Sequence, residues 1–226
     1  MLLVFAQERL FPSDGSLPGR NLDLLREAAA RPGVSVVGSA PYVEPSVVHA
    51  KRNIGFIFDI AAAQNLAVDF HLDYNLDPNS EPLIYEVIKQ VKEETTTRIT
   101  IGHATRLQLF SPTEWDTLLS SIGSLPITFV ALPQSDIYMQ GRACAHQPLG
   151  APRGTLRVPY LKERYGVDIA MSVNNVDNAF TPQGSVDPLS LCTFGVAIFQ
   201  SAREEDLRTL VVSITYIVSR LLFSGE

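Results

Sequence analysis

Two histidines, each at the end of an apolar run, are the residues of this chain best suited to chemistry. FHLDYN at 70–75 alternates His71 with Asp73, and IGHATRL at 101–107 puts His103 at the same kind of boundary. On a strand, side chains two residues apart point to the same face, so His71 and Asp73 lie side by side. An imidazole there can ligate a metal or move a proton, and a nearby carboxylate can orient it or hold a substrate. Metal-assisted hydrolysis wants a further carboxylate to carry protons, but Tyr74 and Asn75 follow instead. A phenol with a reference pKa of about 10 is a poor proton carrier at neutral pH. Elsewhere, Gln7 follows the run LLVFA, Tyr42 follows VSVVG, Gln134 follows ITFVAL, and Asn174 and Asn175 follow VDIAMSV. Tyr42, Tyr74 and Phe180 supply aromatic surface for the wall of a pocket. Cys144 and His146 also stand two apart, but a nucleophilic thiol needs a positioned base, and closeness in sequence does not provide one.

The elements that must position these residues follow a simple alternation. Apolar runs at 2–6, 34–38, 67–71, 98–102, 127–132 and 167–173 are rich in β-branched and aromatic residues, as strands buried on both faces should be. Between them, 21–32, 49–65, 82–94 and 111–123 read as helices. The first is expected to open with Asn21 as its N-cap. The last starts with a capping box, Ser111 to Glu114, and stops at Gly123. A final helical region from 188 to 222 breaks near Ser201, and 134–157 is too rich in Gly and Pro for a regular element. Strand then helix, six times over, means a parallel α/β fold. No glycine-rich phosphate loop follows any strand, which disfavours a dinucleotide site. Polar residues recurring at the strand C-termini favour a barrel, where those ends converge on one face.

Composition narrows the partners. The chain has 226 residues, of which 46% are hydrophobic and 19% charged, an ordinary globular balance with length for one large domain. A net charge of −6 without a basic cluster argues against nucleic acid. No apolar run reaches membrane-spanning length, and the start lacks the features of a signal peptide. Two cysteines without CxxC spacing make neither a zinc framework nor a disulfide scaffold, so a reduced cytoplasmic setting is expected.

In order along the chain, VFAQ (4–7), VVGSAPYVE (36–44), FHLD (70–73), IGHATRL (101–107), LPQSDIYMQGR (132–142), RGTLRVPYLKERYGVDIAM (153–171) and NNVDNAFTPQG (174–184) resemble the cytosine-deaminase-like branch of the amidohydrolase superfamily. The resemblance implies a TIM barrel whose histidines and one aspartate hold a divalent metal. That metal activates a water, and a glutamate shuttles protons. His71 matches the strand-five ligand, His103 the strand-six histidine, and Gln7 a substrate-contacting glutamine after strand three. The strand-one His-x-His pair has no counterpart. Tyr74 stands where the shuttle glutamate is expected, Asn174 where the metal-binding aspartate is expected, and Tyr42 where a histidine follows strand four.

The expected fold is therefore α/β: a TIM-barrel derivative of the amidohydrolase type, one incomplete barrel domain over 1–226 corresponding to family strands 3–8. It lacks the first two strands and the small β-domain. Catalysis is expected from His71, Tyr74, His103 and Asn174, with substrate contacts from Gln7, Tyr42, Asp73, Gln134, Asn175 and Phe180. No metal is expected, and if one is present it falls to His71 and His103. The favoured expectation is a metal-free, non-hydrolytic step such as cyclisation or isomerisation on a small, fairly apolar molecule. The alternatives are a C–N hydrolase using zinc, iron or manganese, and a non-catalytic binding or partner subunit. Two chains pairing across the open barrel edges is a further expectation.

Overall fold

The computed structural model describes residues 2–15, 17–91, 97–142 and 153–223. The six strands are β1 (Leu2–Ala6), β2 (Val34–Ser39), β3 (Ala67–Leu72), β4 (Ile99–His103), β5 (Ile127–Ala131) and β6 (Ile169–Met171). The helices are α1 (Arg20–Ala29), α2 (Val47–Gln64), α3 (Ile84–Gln90), α4 (Pro112–Ile122), α5 (Pro133–Met139), α6 (Val158–Tyr165), α7 (Leu189–Phe199), α8 (Glu204–Ile214) and α9 (Tyr216–Phe223). In the sheet the strands lie in sequence order, β1 to β6. Order without reversal is that of a singly wound, barrel-type sheet, because a doubly wound sheet turns back at a switch point. The chain packs as two compact units: Met1–Tyr74, Asn79–Gly102 and Phe110–Ile127 form the first, and Asn75–Pro78, His103–Leu109 and Thr128–Glu226 the second.

In the first unit β1, β2 and β3 pair in parallel. On β3, Val68, Phe70 and Leu72 are fully buried against the helix layer. Ala67, Asp69 and His71 alternate with them and are only half-buried. The expectation of burial on both faces is thus corrected: the second face of β3 is polar and partly open. On β1, Leu2 and Leu3 are 53% and 41% exposed because this strand is the sheet edge. Helix α1 begins at Gly19 rather than at Asn21, whose side chain donates instead to the Arg9 carbonyl at 2.8 Å. The capping box of α4 is present as expected, with Ser111 and Glu114 exchanging bonds and Gly123 ending the helix. Its Trp115 is buried at 3% exposure.

In the second unit β5 and β6 pair in parallel. The stretch from 134 is not all irregular: Pro133 opens α5, since a proline in the first turn has its φ already set and no N–H to lose. Helix α6 was likewise not foreseen. The C-terminal helical region breaks at 200–203 as expected and again at Thr215. Leu156, Ala170, Leu191 and Leu210 are fully buried in this unit. No helix among the described residues is long and apolar enough to cross a membrane.

Candidate functional site

The first unit brings five of the expected residues to the ends of β1, β2 and β3. Gln7 directly follows β1, and Tyr42 lies in a 3-10 turn (Pro41–Val43) just after β2. Burial pushes the Tyr42 hydroxyl above its ordinary pKa, against the opposing pull of a hydrogen bond from the Gln7 side chain. The Tyr42 ring meets Tyr74 edge-on, with centroids 5.4 Å apart. His71 sits on the open face of β3 with its ring 4.7 Å from that of Phe5. Gly102 on β4 makes room for it: a Cβ there would lie 2.9 Å from the imidazole. Asp69, two residues back on the same face, has an oxygen 3.9 Å from His71 Nε2, too far for a hydrogen bond. Burial pushes the Asp69 carboxyl up to about 7.

Asp73 takes the capping role. Its carboxylate accepts from the backbone N–H groups of Leu83 and Ile84 at 2.7 and 3.1 Å, at the start of α3. Both carboxylate oxygens thus serve a helix end whose first N–H groups have no intrahelical acceptor. Asn75 caps the next turn, accepting from the Asp77 N–H at 3.0 Å.

In the second unit the central feature is a buried pair. His103 Nδ1 and Asp136 Oδ1 are 2.7 Å apart, with side-chain exposures of 3% and 0%. Thr155 donates to the other carboxylate oxygen at 2.7 Å. A carboxylate accepting on both oxygens assigns the proton to Nδ1, which leaves proton exchange to Nε2. Burial pushes the Asp136 carboxyl up, and the bonds from His103 and Thr155 pull against that shift. His103 has φ +65, the left-handed region that residues with a Cβ seldom adopt, so its surroundings hold it there. Around it, Thr105 donates to the Asn75 carbonyl and accepts from Gln140, and Arg106 donates to the Pro78 carbonyl at 2.7 Å. Arg106 is thus a buried structural guanidinium.

Asn174 donates to the Ser135 hydroxyl at 2.9 Å. Gln134 lies in α5 with its carbonyl accepting from Gln183, while its side-chain oxygen is buried without a hydrogen-bond partner among the described residues. Asn175 is half-buried beyond β6, in a turn tight enough that a Cβ on Gly184 would strike its carbonyl oxygen. Phe180, expected in a pocket wall, is 56% exposed. Cys144 and His146 lie outside the described residues. Asp136, Thr155 and Ser135 were missed in the sequence. The available signal was Asp136 one turn into a Pro-started helix directly after a strand.

The donors described do not by themselves fit a divalent metal, since no group of three or more His, Cys, Asp or Glu among them is placed to hold one. A catalytic zinc site generally takes about three protein ligands. At position 174 the side chain is a neutral amide already donating to Ser135, not a carboxylate.

No family model matches the chain, and no curated protein does. Solved structures do. The 5-methylcytosine deaminase from Klebsiella pneumoniae liganded with 5-fluorocytosine aligns over 99% of this chain and 52% of its own, with a TM-score of 0.82 at 22% identity. The N-isopropylammelide isopropylaminohydrolase from Burkholderia multivorans aligns over 95% and 50%, with a TM-score of 0.66 at 20% identity. An adenosine deaminase from Xanthomonas campestris with bound zinc aligns over 99% and 48%, with a TM-score of 0.59 at 13% identity. The chain spans about half the length of each. Its fold is that of these deaminases and this aminohydrolase, over about half the length of each.

Proposed function

We propose that this chain acts in the hydrolysis of a C–N bond of a cyclic amide or amidine. The observation that carries this reading is the alignment of 99% of the chain onto a 5-methylcytosine deaminase. The chain's own residues suit such a substrate. Gln7 offers an amide donor and acceptor to the edge of a planar ring, and Tyr42 and Tyr74 offer aromatic faces beside it. In the second unit, taken by itself, Asp136 orients His103 through Nδ1, which suits its Nε2 to proton transfer. A divalent metal is the cofactor this reading implies, one of the similar structures having zinc bound. The described donors do not by themselves complete its site.

The metal-free cyclisation or isomerisation expected from the sequence has no support among these structures, all named as deaminases or aminohydrolases. The incomplete donor set and the neutral groups at Tyr74 and Asn174 are what still favour it as a second reading. The test is ammonia or amine release from cytosine, 5-methylcytosine and N-alkylated triazines, with protein loaded in turn with zinc, iron or manganese. Release that chelator abolishes supports hydrolysis. No release under any loading, with the protein folded, counts against it.

A further inference from the structure

The loop after β1 builds a cleft whose residues none of the expected roles above absorb, Tyr42 apart. About 800 Å³ in volume, it is lined by residues 8–13, 19–21 and 42–44, all within the first unit. For scale, small-molecule sites run to roughly 300–1,000 Å³. The loop is fixed rather than loose. The Glu44 carboxylate, almost fully buried, accepts from the backbone N–H groups of Leu10 and Phe11 at 2.8 and 3.2 Å and from Asn53 at 2.7 Å. Asn53 in turn accepts from Ser39 at 2.6 Å. The Gly19 N–H donates to the Leu10 carbonyl at 2.7 Å, and His49 bonds the Gly15 carbonyl while its ring packs on Phe11. A buried charge is costly unless several donors meet it. Here three do, and their effect is to hold the segment that carries Arg9.

Two guanidinium groups line this cleft. Arg9 is held by its Nε on the Val43 carbonyl at 2.6 Å and by Nη1 on Ser13 at 3.3 Å, an arrangement that leaves Nη2 for a ligand. Arg20 makes no ion pair or side-chain hydrogen bond among the described residues. Of the two lining carboxylates, Glu44 is engaged within the loop by three neutral donors, which leaves Glu8 as the other. The formal charges of Arg9, Arg20, Glu8 and Glu44 cancel, and what the cleft offers an anion is guanidinium N–H groups with no partner among the described residues. Leu10 and Phe11 are fully buried beneath the cleft, Pro12 and Val43 provide the apolar wall it exposes, and the Tyr42 hydroxyl links it to Gln7.

We propose that this cleft binds a ring-bearing organic carboxylate, with Arg20 and Nη2 of Arg9 on the carboxylate and the ring against the apolar wall. The size of the cleft and its apolar lining favour an organic anion over a free phosphate, and paired guanidinium donors suit a planar carboxylate. The site stands independently of the C–N hydrolase reading.

The experiment is titration of the ¹⁵N-labelled protein at low salt with benzoate, benzamide and inorganic phosphate, followed through the backbone amides. Benzoate is expected to shift the amides of Arg9, Gly19 and Arg20, and Arg20→Gln to weaken it at least about tenfold, with Arg20→Lys in between. Arg20 is exposed, and the spectrum of unliganded Arg20→Gln verifies its fold. Benzamide binding as tightly as benzoate, phosphate binding in preference to it, no shifts at these amides, or Arg20→Gln leaving benzoate affinity unchanged would each overturn the proposal.

Discussion

The two strand-end histidines look equivalent in the sequence and are held in different ways. His103 is closed in: its Nδ1 meets a fully buried carboxylate at 2.7 Å, that carboxylate is also bonded by Thr155, and the backbone is locked in the left-handed region. His71 sits between the Phe5 ring and the space left by Gly102, with its neighbouring carboxylate 3.9 Å away. The difference teaches that a histidine's tautomer is set by what its other nitrogen meets, not by its position on the strand. His103 is a group of fixed protonation geometry, whereas His71 lies beside a carboxyl whose own proton is lost only near neutrality.

The comparison breaks most sharply at Asp136. Asp136→Asn replaces a carboxylate that accepts at both oxygens with an amide that accepts at one atom and donates at the other, so either His103 loses its acceptor or Thr155 must turn from donor to acceptor. Stability should fall by about 3 kcal/mol, read from urea unfolding, with any activity falling along with it. No change in either would mean that the pair does not hold His103.

Asp69 provides a test of opposite sign. Its folded pKa, about 7, lies above its unfolded value, so the stability linked to its proton is fully present below about pH 4 and is lost as pH rises through about 7. Asp69→Asn should therefore stabilise the protein by roughly 2–4 kcal/mol at alkaline pH and by little in acid. Melting temperatures for both proteins across that range decide it, and a gain independent of pH would show that Asp69 is not titrating there.

A smaller effect is expected at Asp73. Asp73→Ala removes the acceptor of two N–H groups at the start of α3 and should cost about 1–2 kcal/mol in stability. Because the role is capping, substrate affinity should hardly move once the loss of folded protein is allowed for. A large change in affinity at unchanged stability would return Asp73 to the binding residues.

Much of the frame was legible because burial leaves a local trace. The apolar runs marked all six strands, and Ser111 with Glu114 marked the start of α4 from side-chain chemistry alone. What stayed hidden depended on the third dimension. His103 and Asp136 are 33 residues apart, and nothing local says that they meet. Helix α5 was concealed by the Gly and Pro content of the segment after it, although Pro133 was itself the starting signal. Asn21 looked like a cap but reaches Arg9 instead, since its orientation depends on how the preceding loop folds back. Asp69 was passed over because period-two alternation shows which residues share a face, but not that the face is open.

The proposed hydrolysis is tested by running the reaction in H₂¹⁸O. Metal-loaded protein would be incubated with a cyclic amidine such as 5-methylcytosine and the product weighed by mass spectrometry. The expected product carries one labelled oxygen in place of the departing nitrogen. A product isomeric with its substrate and free of label would contradict hydrolysis and return the chain to non-hydrolytic chemistry.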